Sequence, residues 1–503
     1  MRHFLLLNSI FLLLVNQSLK SQLPPKTEPY ADLNTTVLAN DTCQMIDNYL
    51  LQIAGDKHFS GGLLIIKDGK KIFSKGYGWA DKDRMIPFTP RTLASMGSIT
   101  KLFTATAIIK LQEEGKLSLD DSLSKYFPSI PIDKAGITIK QLLTHASGFH
   151  EFLRDDQGVY EKLQKQDLLE RAFAEPLAFK PGTKAVYTNV GMSMLAVIIE
   201  QISGTDYESF LKKALFKPYQ IDIGYHYPTS TQDTIAHGYQ NGQDWGTHQT
   251  HFKAAGGGPY WNLKGNGGLE ASLNDMYQWA NAFTNQTILN QANIQKMFAP
   301  QIEEDGTAGR SFFGYGCNIT MSRRKTKMIE NGGSNGIYFA RLLRLPDEGV
   351  VFYMVTNETN MNTNMVLPNI TQLYFNGAIS QDATVNHRKL ETQMANTIYK
   401  IITETSPSDL GQELKKNKIV VEDDMVLLDV GQMLLEEGKA TQALILYQYY
   451  TNLFPQIVVA WNDMGDVYRM LNNKEESIKC YKMALQLRPE NNRAKTNLEK
   501  LNK

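Results

Sequence analysis

The alternation of polar and apolar positions changes rhythm several times along the chain. Near the start, Leu63 to Ile66 is a short β-prone apolar run. Asp68 and Gly69 follow as a tight-turn signal and Lys71 to Tyr77 returns, so the segment predicts a hairpin. A second strand pair is predicted much later, at Ile337 to Leu345 and Val350 to Thr356, around Pro346, Asp347, Glu348 and Gly349. Between the hairpins the pattern is mostly helical. Leu102 to Glu114 predicts a helix closed by Gly115. Its apolar residues Leu102, Phe103, Ala105, Ala107, Ile108, Ile109 and Leu111 cover nearly every face, so this helix must be buried. Val190 to Gln201 predicts another helix, closed by Gly204 after a short tail. Asn274 to Phe283 predicts a third, with Ser272 or Asn274 as its cap. Early and late strands around a helical middle predict an α+β fold, one antiparallel sheet flanked by helices.

The last eighty or so residues repeat instead of alternating. Gly431 and Gly465 are 34 residues apart, as are Tyr447 and Tyr481, and Pro455 and Pro489. Leu427 is matched by Trp461, and Tyr450 by Ala484. A 34-residue period with small, aromatic and proline positions in this order resembles tetratricopeptide repeats. The resemblance implies two helix pairs over 425–503, with 491–502 as a capping helix. The glycines would let the helices approach closely and the prolines would end the second helices. Two repeats cannot bury their own faces, so they should lean on another surface, such as residues 385–403, or on a partner.

Residues 1–22 read as a signal peptide: Arg2 and His3 precede an apolar run from Phe4 to Val15, too short for an ordinary membrane span. The expectation is a secreted or periplasmic protein without a membrane span once this segment is removed. Residues 23–44, with Pro24, Pro25 and Pro29, read as a linker, 45–376 as the main domain, and 377–424 as a linker with a helix. The 503 residues are 42% hydrophobic and 21% charged, the composition of a globular protein. Lys and Arg number 52, as do Asp and Glu, so the chain as a whole offers neither a counterion-release term for nucleic acid nor a polybasic footprint for membranes. Cys43, Cys317 and Cys480 are far apart and form no CxxC, which argues against a disulfide framework and a zinc site. No cofactor or metal is expected.

Ser98 and Lys101 place a hydroxyl and an amine three residues apart, on one face of a helix. A lysine held against a serine in a dry pocket loses its proton readily and can accept the serine's, which creates a nucleophile. The spacing recurs at Ser122 and Lys125, Ser209 and Lys212, and Ser322 and Lys325, but those pairs lie in segments rich in charge or turn residues. Only the Ser98 pair opens the all-apolar helix, which shields Lys101.

The stretch Ala94 to Lys101 resembles the nucleophile motif of the serine β-lactamase-like superfamily. That group includes class C β-lactamases, low-molecular-weight penicillin-binding proteins, D-aminopeptidases and related esterases. Further elements follow in the family's order. Ile137 to Gly148, around His145, resembles its helix-and-loop signature; Phe179 to Thr183 leads to Tyr187, Thr188 and Asn189, similar to its Tyr-x-Asn element; Gly267 to Asp275 and Phe313 to Gly316 are similar to later landmarks. The resemblance spans roughly residues 45–375 and implies roles. Ser98 is the nucleophile, Lys101 takes or tunes its proton, and Tyr187 passes a proton to the leaving group, its phenolate being supported by Lys101. Asn189 bonds Lys101 or a substrate carbonyl. The oxyanion hole combines the Ser98 backbone N–H with a strand-edge donor near Ser334, each such donor being worth about 3–4 kcal/mol of barrier.

One motif departs from the family. Where a Lys-Thr-Gly or His-x-Gly strand usually faces the serine, this chain has Asn331, Gly332 and Gly333, followed by Ser334. The glycines still allow close approach of a substrate, but the cation that would pair with a substrate carboxylate is replaced by a neutral amide. Turnover of β-lactams and D-Ala-D-Ala peptides is therefore disfavoured relative to an ester or amide with a neutral acyl group. Glu330 adds a negative charge that would favour an amine-bearing substrate. His145 reads as a packing residue, His248 and His251 as parts of a surface loop, and Tyr260 and Trp261 as pocket wall or packing. The leading expectation is a serine hydrolase acting on a small-molecule or peptide ester or amide, with the repeats available to a protein or peptide partner. The alternative is a non-catalytic or penicillin-binding protein that uses the same scaffold for ligand binding.

Overall fold

A computed structural model describes residues 35–502, apart from 56–58, 155–157, 228–234, 241–242, 308, 323, 360–362, 380–392, 422–423 and 489–490. The expected signal segment lies outside the described residues. The chain divides into two compact units, one ending at Ile379 and the other beginning at Ser380.

The first unit is built on a nine-stranded sheet. Its strands are β1 (Thr36–Val37), β2 (Gly61–Lys67), β3 (Lys70–Tyr77), β4 (Ile302–Glu303), β5 (Ser311–Phe313), β6 (Asn318–Met321), β7 (Lys327–Ser334), β8 (Phe339–Leu345) and β9 (Val350–Thr356). They run in the order β1-β3-β2-β9-β8-β7-β6-β5-β4 with every neighbour antiparallel. The two expected hairpins are thus joined side by side, with Phe352 of β9 opposite Ile65 of β2.

The strand period of two sorts side chains onto two covered faces. On one face Leu63, Ile65, Phe352 and Met354 pack with Ile46 and Leu50 of helix α1 (Asp41–Gly55). On the other, Leu64, Ile66, Tyr353 and Val355 join the larger core. That core holds α2 (Thr100–Glu113), α3 (Asn189–Ser203) and α4 (Leu273–Thr284). As its all-round apolar pattern demands, α2 is buried from Thr100 to Ile109 and at Leu111, with Leu102, Phe103, Ala105, Ala107 and Ile108 fully inaccessible. The Thr188 hydroxyl caps α3 by accepting from Gly191 N–H at 3.1 Å. Gly204, at φ 69°, lets the chain leave α3 in a left-handed turn. Of the two expected caps for α4, Ser272 holds the position and accepts from Asp275 N–H at 3.2 Å.

The expected linker 23–44 ends in structure. Thr36–Val37 extends the sheet edge against β3, and α1 begins at Asp41 because Asn40 Oδ1 accepts Cys43 N–H at 2.8 Å. The last helix of this unit, α5 (Thr363–Asn376), lays Val366, Leu367 and Ile370 beside α1 on the same face of the sheet. Cys43, Cys317 and Cys480 are all free and buried.

The second unit is all helical: α6 (Gln393–Thr405), α7 (Leu410–Lys416), α8 (Asp424–Glu436), α9 (Ala440–Leu453), α10 (Val458–Met470), α11 (Lys474–Leu487) and α12 (Asn492–Asn502). The repeated glycines do what their spacing requires. A Cβ at Gly431 would lie 2.6 Å from the Tyr447 ring, and one at Gly465 would lie 2.7 Å from the Tyr481 ring, so each Gly–Tyr pair brings two helices together. Helix α9 ends just before Pro455, whereas Pro489 lies outside the described residues. The segment expected as a linker with a helix carries α6 and α7 into the same core. There Ala395, Ile398 and Ile402 pack with Leu427, Val430 and Leu434 of α8. Among the described residues, no helix is long and apolar enough to cross a membrane.

Candidate active site

Ser98 stands in a single 3₁₀ turn, Gly97–Ile99, that feeds directly into α2. Backbone contacts fix this turn from outside. Ala94 and Ser95 pair with Ala271 and Glu270, and Met96 N–H donates to the Leu269 carbonyl at 2.9 Å. Thr100 Oγ1 donates to the Gly97 carbonyl at 2.8 Å and accepts from Leu269 N–H at 3.1 Å. Gly97 has φ 51°, and a Cβ there would lie 2.6 Å from Ser334 N, so both its turn and its neighbour require glycine.

Lys101, one helical turn from Ser98, is 3% exposed. Its Nζ lies 3.0 Å from Ser98 Oγ, 2.6 Å from Asn189 Oδ1 and 2.7 Å from the Asn266 carbonyl. Burial pushes its pKa well below the usual lysine range, partly offset by Glu151. A neutral amine has two N–H groups and one lone pair. The two oxygens of Asn189 and Asn266 accept without donating, so they claim the N–H groups and leave the lone pair facing Ser98.

Tyr187 OH lies 2.7 Å from Ser98 Oγ, and Lys101 Nζ sits 4.6 Å from the centre of the Tyr187 ring. Burial raises the phenol's pKa, with Glu151 adding to the rise and the bond to Ser98 opposing it. The resting form is therefore a neutral phenol, in place of the phenolate considered from sequence. Ser98 Oγ, Lys101 Nζ, Tyr187 OH and Asn189 Oδ1 thus converge. Asn266, which the sequence reading passed over, is held by Nδ2 bonds to Ser193 Oγ at 2.8 Å and the Asn262 carbonyl at 2.9 Å. Its contribution comes from the backbone, for which side-chain identity gives no signal. The neighbouring Gly267 and Gly268 were the only hint.

Strand β7 crosses the start of α2. Its alternation turns Asn331 and Gly333 toward α2, and Gly332 and Ser334 away. A Cβ at Gly333 would collide with the Met96 carbonyl and lie 2.7 Å from Ser98 N, whereas one at Gly332 would meet only Arg341 Cδ at 4.0 Å. Gly332 therefore stands apart from the nucleophile. Ser334 is exposed, its Oγ accepts from Gly336 N–H at 3.0 Å, and its backbone N is the atom next to Gly97.

Asn331 is buried, and its Nδ2 donates to the Gly316 carbonyl at 2.6 Å. Half of its amide is therefore committed to the protein, and the buried Oδ1 has no partner among the described residues. Glu330 lies on the opposite face of the strand, 3.9 Å from Arg341. The negative charge assigned to the site from sequence does not come from Glu330, because one step along a strand reverses the face.

His145 lies close to Tyr187 without bonding Ser98. Its ring centre is 4.9 Å from that of Tyr187 and 4.7 Å from that of Phe313. Its Nδ1 accepts from Thr188 N–H at 3.2 Å, and burial together with Lys101 lowers its pKa to about 3. The surface loop expected at His248 and His251 is instead a short helix, His248–Ala254, whose N-cap is Thr247. His248 is buried, 2.7 Å from Tyr160 OH and 3.2 Å from Asn335 Nδ2. Trp261 packs into the core, and Tyr260 OH donates to the Ala255 carbonyl at 3.3 Å.

Comparison with known proteins places the chain in a family. The Beta-lactamase family matches residues 46–373, and a Tetratricopeptide repeat matches 458–491. The chain is 32% identical over 275 residues to "Putative penicillin-binding protein PbpX" of Bacillus subtilis (strain 168), covering 54% of this chain and 66% of that one. It is 34% identical over 189 residues to "Protein flp" of Staphylococcus aureus (strain N315), covering 36% of this chain and 38% of that one. The alignments thus span less than two thirds of either relative. Among solved structures, the octameric penicillin-binding protein homologue from Pyrococcus abyssi has a TM-score of 0.57 at 25% identity, over 66% of this chain and 76% of its own. A penicillin binding protein from Bacillus halodurans has a TM-score of 0.56 at 25% identity, over 65% of this chain and 99% of its own. The chain belongs to the β-lactamase family and carries a tetratricopeptide repeat near its C-terminus.

Proposed function

We propose that the protein is a serine hydrolase that cleaves an ester or amide through an acyl-enzyme on Ser98. The observation that carries this reading is the donor count at Lys101. Asn189 Oδ1 and the Asn266 carbonyl occupy two of its positions and the third faces Ser98 Oγ at 3.0 Å, so that the deprotonated amine presents its lone pair to the serine. In the reaction, Ser98 Oγ attacks the substrate carbonyl and its proton passes to Lys101. The carbonyl oxygen takes up negative charge between the backbone N–H groups of Ser98 and Ser334. As the tetrahedral species collapses, Tyr187 gives its proton to the leaving group and recovers one from Lys101. Water then repeats the sequence in reverse and frees Ser98.

Asn331 limits the substrate. A substrate carboxylate would meet a neutral amide, one of whose two N–H donors is already engaged by Gly316 and whose oxygen is an acceptor. Esters and amides without that carboxylate avoid the mismatch. The same residue motivates the second reading, a non-catalytic or penicillin-binding protein that holds a ligand on this scaffold. A fluorophosphonate or labelled penicillin followed by mass spectrometry separates the two. An adduct on Ser98 that disappears in Ser98→Ala supports the enzyme, and its repeated absence on folded protein supports the binder. The repeat unit is proposed to hold a peptide or protein partner, and residues 1–22 to direct export; cell fractionation finding the chain in the cytoplasm would overturn the latter.

A further inference from the structure

The loop that follows the His145 signature carries a carboxylate that the hydrolytic scheme leaves unused. Glu151 is tied to the catalytic segment through its backbone, whose carbonyl accepts Asn189 N–H at 3.0 Å. One residue earlier, the His150 carbonyl accepts from the Thr188 hydroxyl at 2.7 Å. Two successive residues of this loop are therefore pinned to the turn into α3 that presents Tyr187 and Asn189. The carboxylate lies close enough to affect Lys101 and Tyr187 electrostatically, yet no hydrogen bond or ion pair holds it among the described residues. Among the described residues Lys101 is the cation that acts on it, and burial favours the neutral form of that amine. Tyr187 and His145 are neutral for the same reason, and Asn331 is an amide. Glu151 is thus an exposed acidic residue held beside Tyr187 and Asn189, its carboxyl pKa raised by burial and lowered by Lys101.

We infer that Glu151 selects substrates that carry a positively charged group, an ammonium on the acyl side or on the leaving group. This rests on the hydrolase reading above and names the substrate class for that site. The attraction operates at a solvent-accessible carboxylate, so the preference is moderate and sensitive to salt.

Three p-nitrophenyl esters of matched size test it: the fixed cation 4-(trimethylammonio)butyrate, its neutral isostere 5,5-dimethylhexanoate, and the anionic hemiglutarate. Nitrophenolate release and acylation of Ser98 by mass spectrometry are followed on the full chain. The expected order of kcat/KM is cation, neutral, anion, with steps of about fivefold that shrink between low and high salt. In Glu151→Gln the cation-to-neutral ratio should fall to near one, mainly through KM. A ratio unchanged in Glu151→Gln, or a salt-independent order in the native protein, overturns the inference. If Ser98 is acylated equally by all three esters, the charge preference fails and the hydrolase reading stands. If none of them acylates Ser98 and a fluorophosphonate does not label it, both fail.

Discussion

The backbone carbonyl of Asn266 and the Nζ of Lys101 are 2.7 Å apart in a buried hydrogen bond. With Asn189 Oδ1 at 2.6 Å, that carbonyl decides how Lys101 can present itself to Ser98. Lys101→Met should therefore lose about 10³-fold in kcat/KM on a neutral ester, since it removes the proton acceptor. Circular dichroism should still report a folded protein. A loss under tenfold would show that another group takes the Ser98 proton.

Lys101 should also shape the pH dependence. Its folded pKa lies below the unfolded value, so the unfolded chain binds more protons in the interval between them. Stability should rise with pH through that interval, and kcat/KM should rise as the amine deprotonates. In Lys101→Met that part of the stability slope should vanish. Urea unfolding across a pH series measures it, and an identical slope in both proteins would refute the assignment.

His145 predicts behaviour at acid pH. Its folded pKa is held at about 3, against an ordinary value of 6.5. As pH falls from 6.5 toward 3, the unfolded state takes up a proton that the folded state refuses. Stability is lost over that window, on the order of several kcal/mol. His145→Asn keeps a side-chain acceptor for Thr188 N–H and suits the residue's φ of 57°. This variant should lose less stability between pH 6.5 and pH 4 than the native protein. Equal acid sensitivity would mean that other groups dominate.

The two glycines of β7 should differ. At Gly333 an added methyl meets the Met96 carbonyl and Ser98 N, while at Gly332 it meets little. Gly333→Ala should reduce kcat by at least about 10²-fold, because displaced reacting atoms are costly. Gly332→Ala should stay within about threefold. Similar losses in both would place the oxyanion pocket elsewhere.

Asn331→His should raise turnover of a carboxylate-bearing cephalosporin relative to a neutral ester, by about tenfold. The imidazole restores a titratable donor where Asn331 Oδ1 now has no partner among the described residues. A cephalosporin rate already exceeding the ester rate in the native protein would contradict the argument from Asn331.

Much of this site could be read from residue order, and the omissions have physical causes. The Ser98 and Lys101 pair stood out because α2 is apolar on all sides, a pattern that only burial explains. Tyr187 and Asn189 were legible only through their resemblance to the family's Tyr-x-Asn element, since on their own they read as turn packing. Asn266 was missed because its backbone carbonyl does the bonding. Glu151 was missed because a charged loop residue has no periodicity. The far edge of the sheet was missed because β4, β5 and β6 are two to four residues long, too short to display alternation. Glu330 was misplaced because its face depends on a register that only strand pairing fixes.

The packing of Ala395, Ile398 and Ile402 against Leu427, Val430 and Leu434 bears on how the C-terminal unit can be produced alone. A recombinant fragment begun at the first repeat, near Asp424, would be born with one greasy flank uncovered and should clump. One begun upstream of Gln393 brings its own cover and should run as a discrete peak in size-exclusion chromatography.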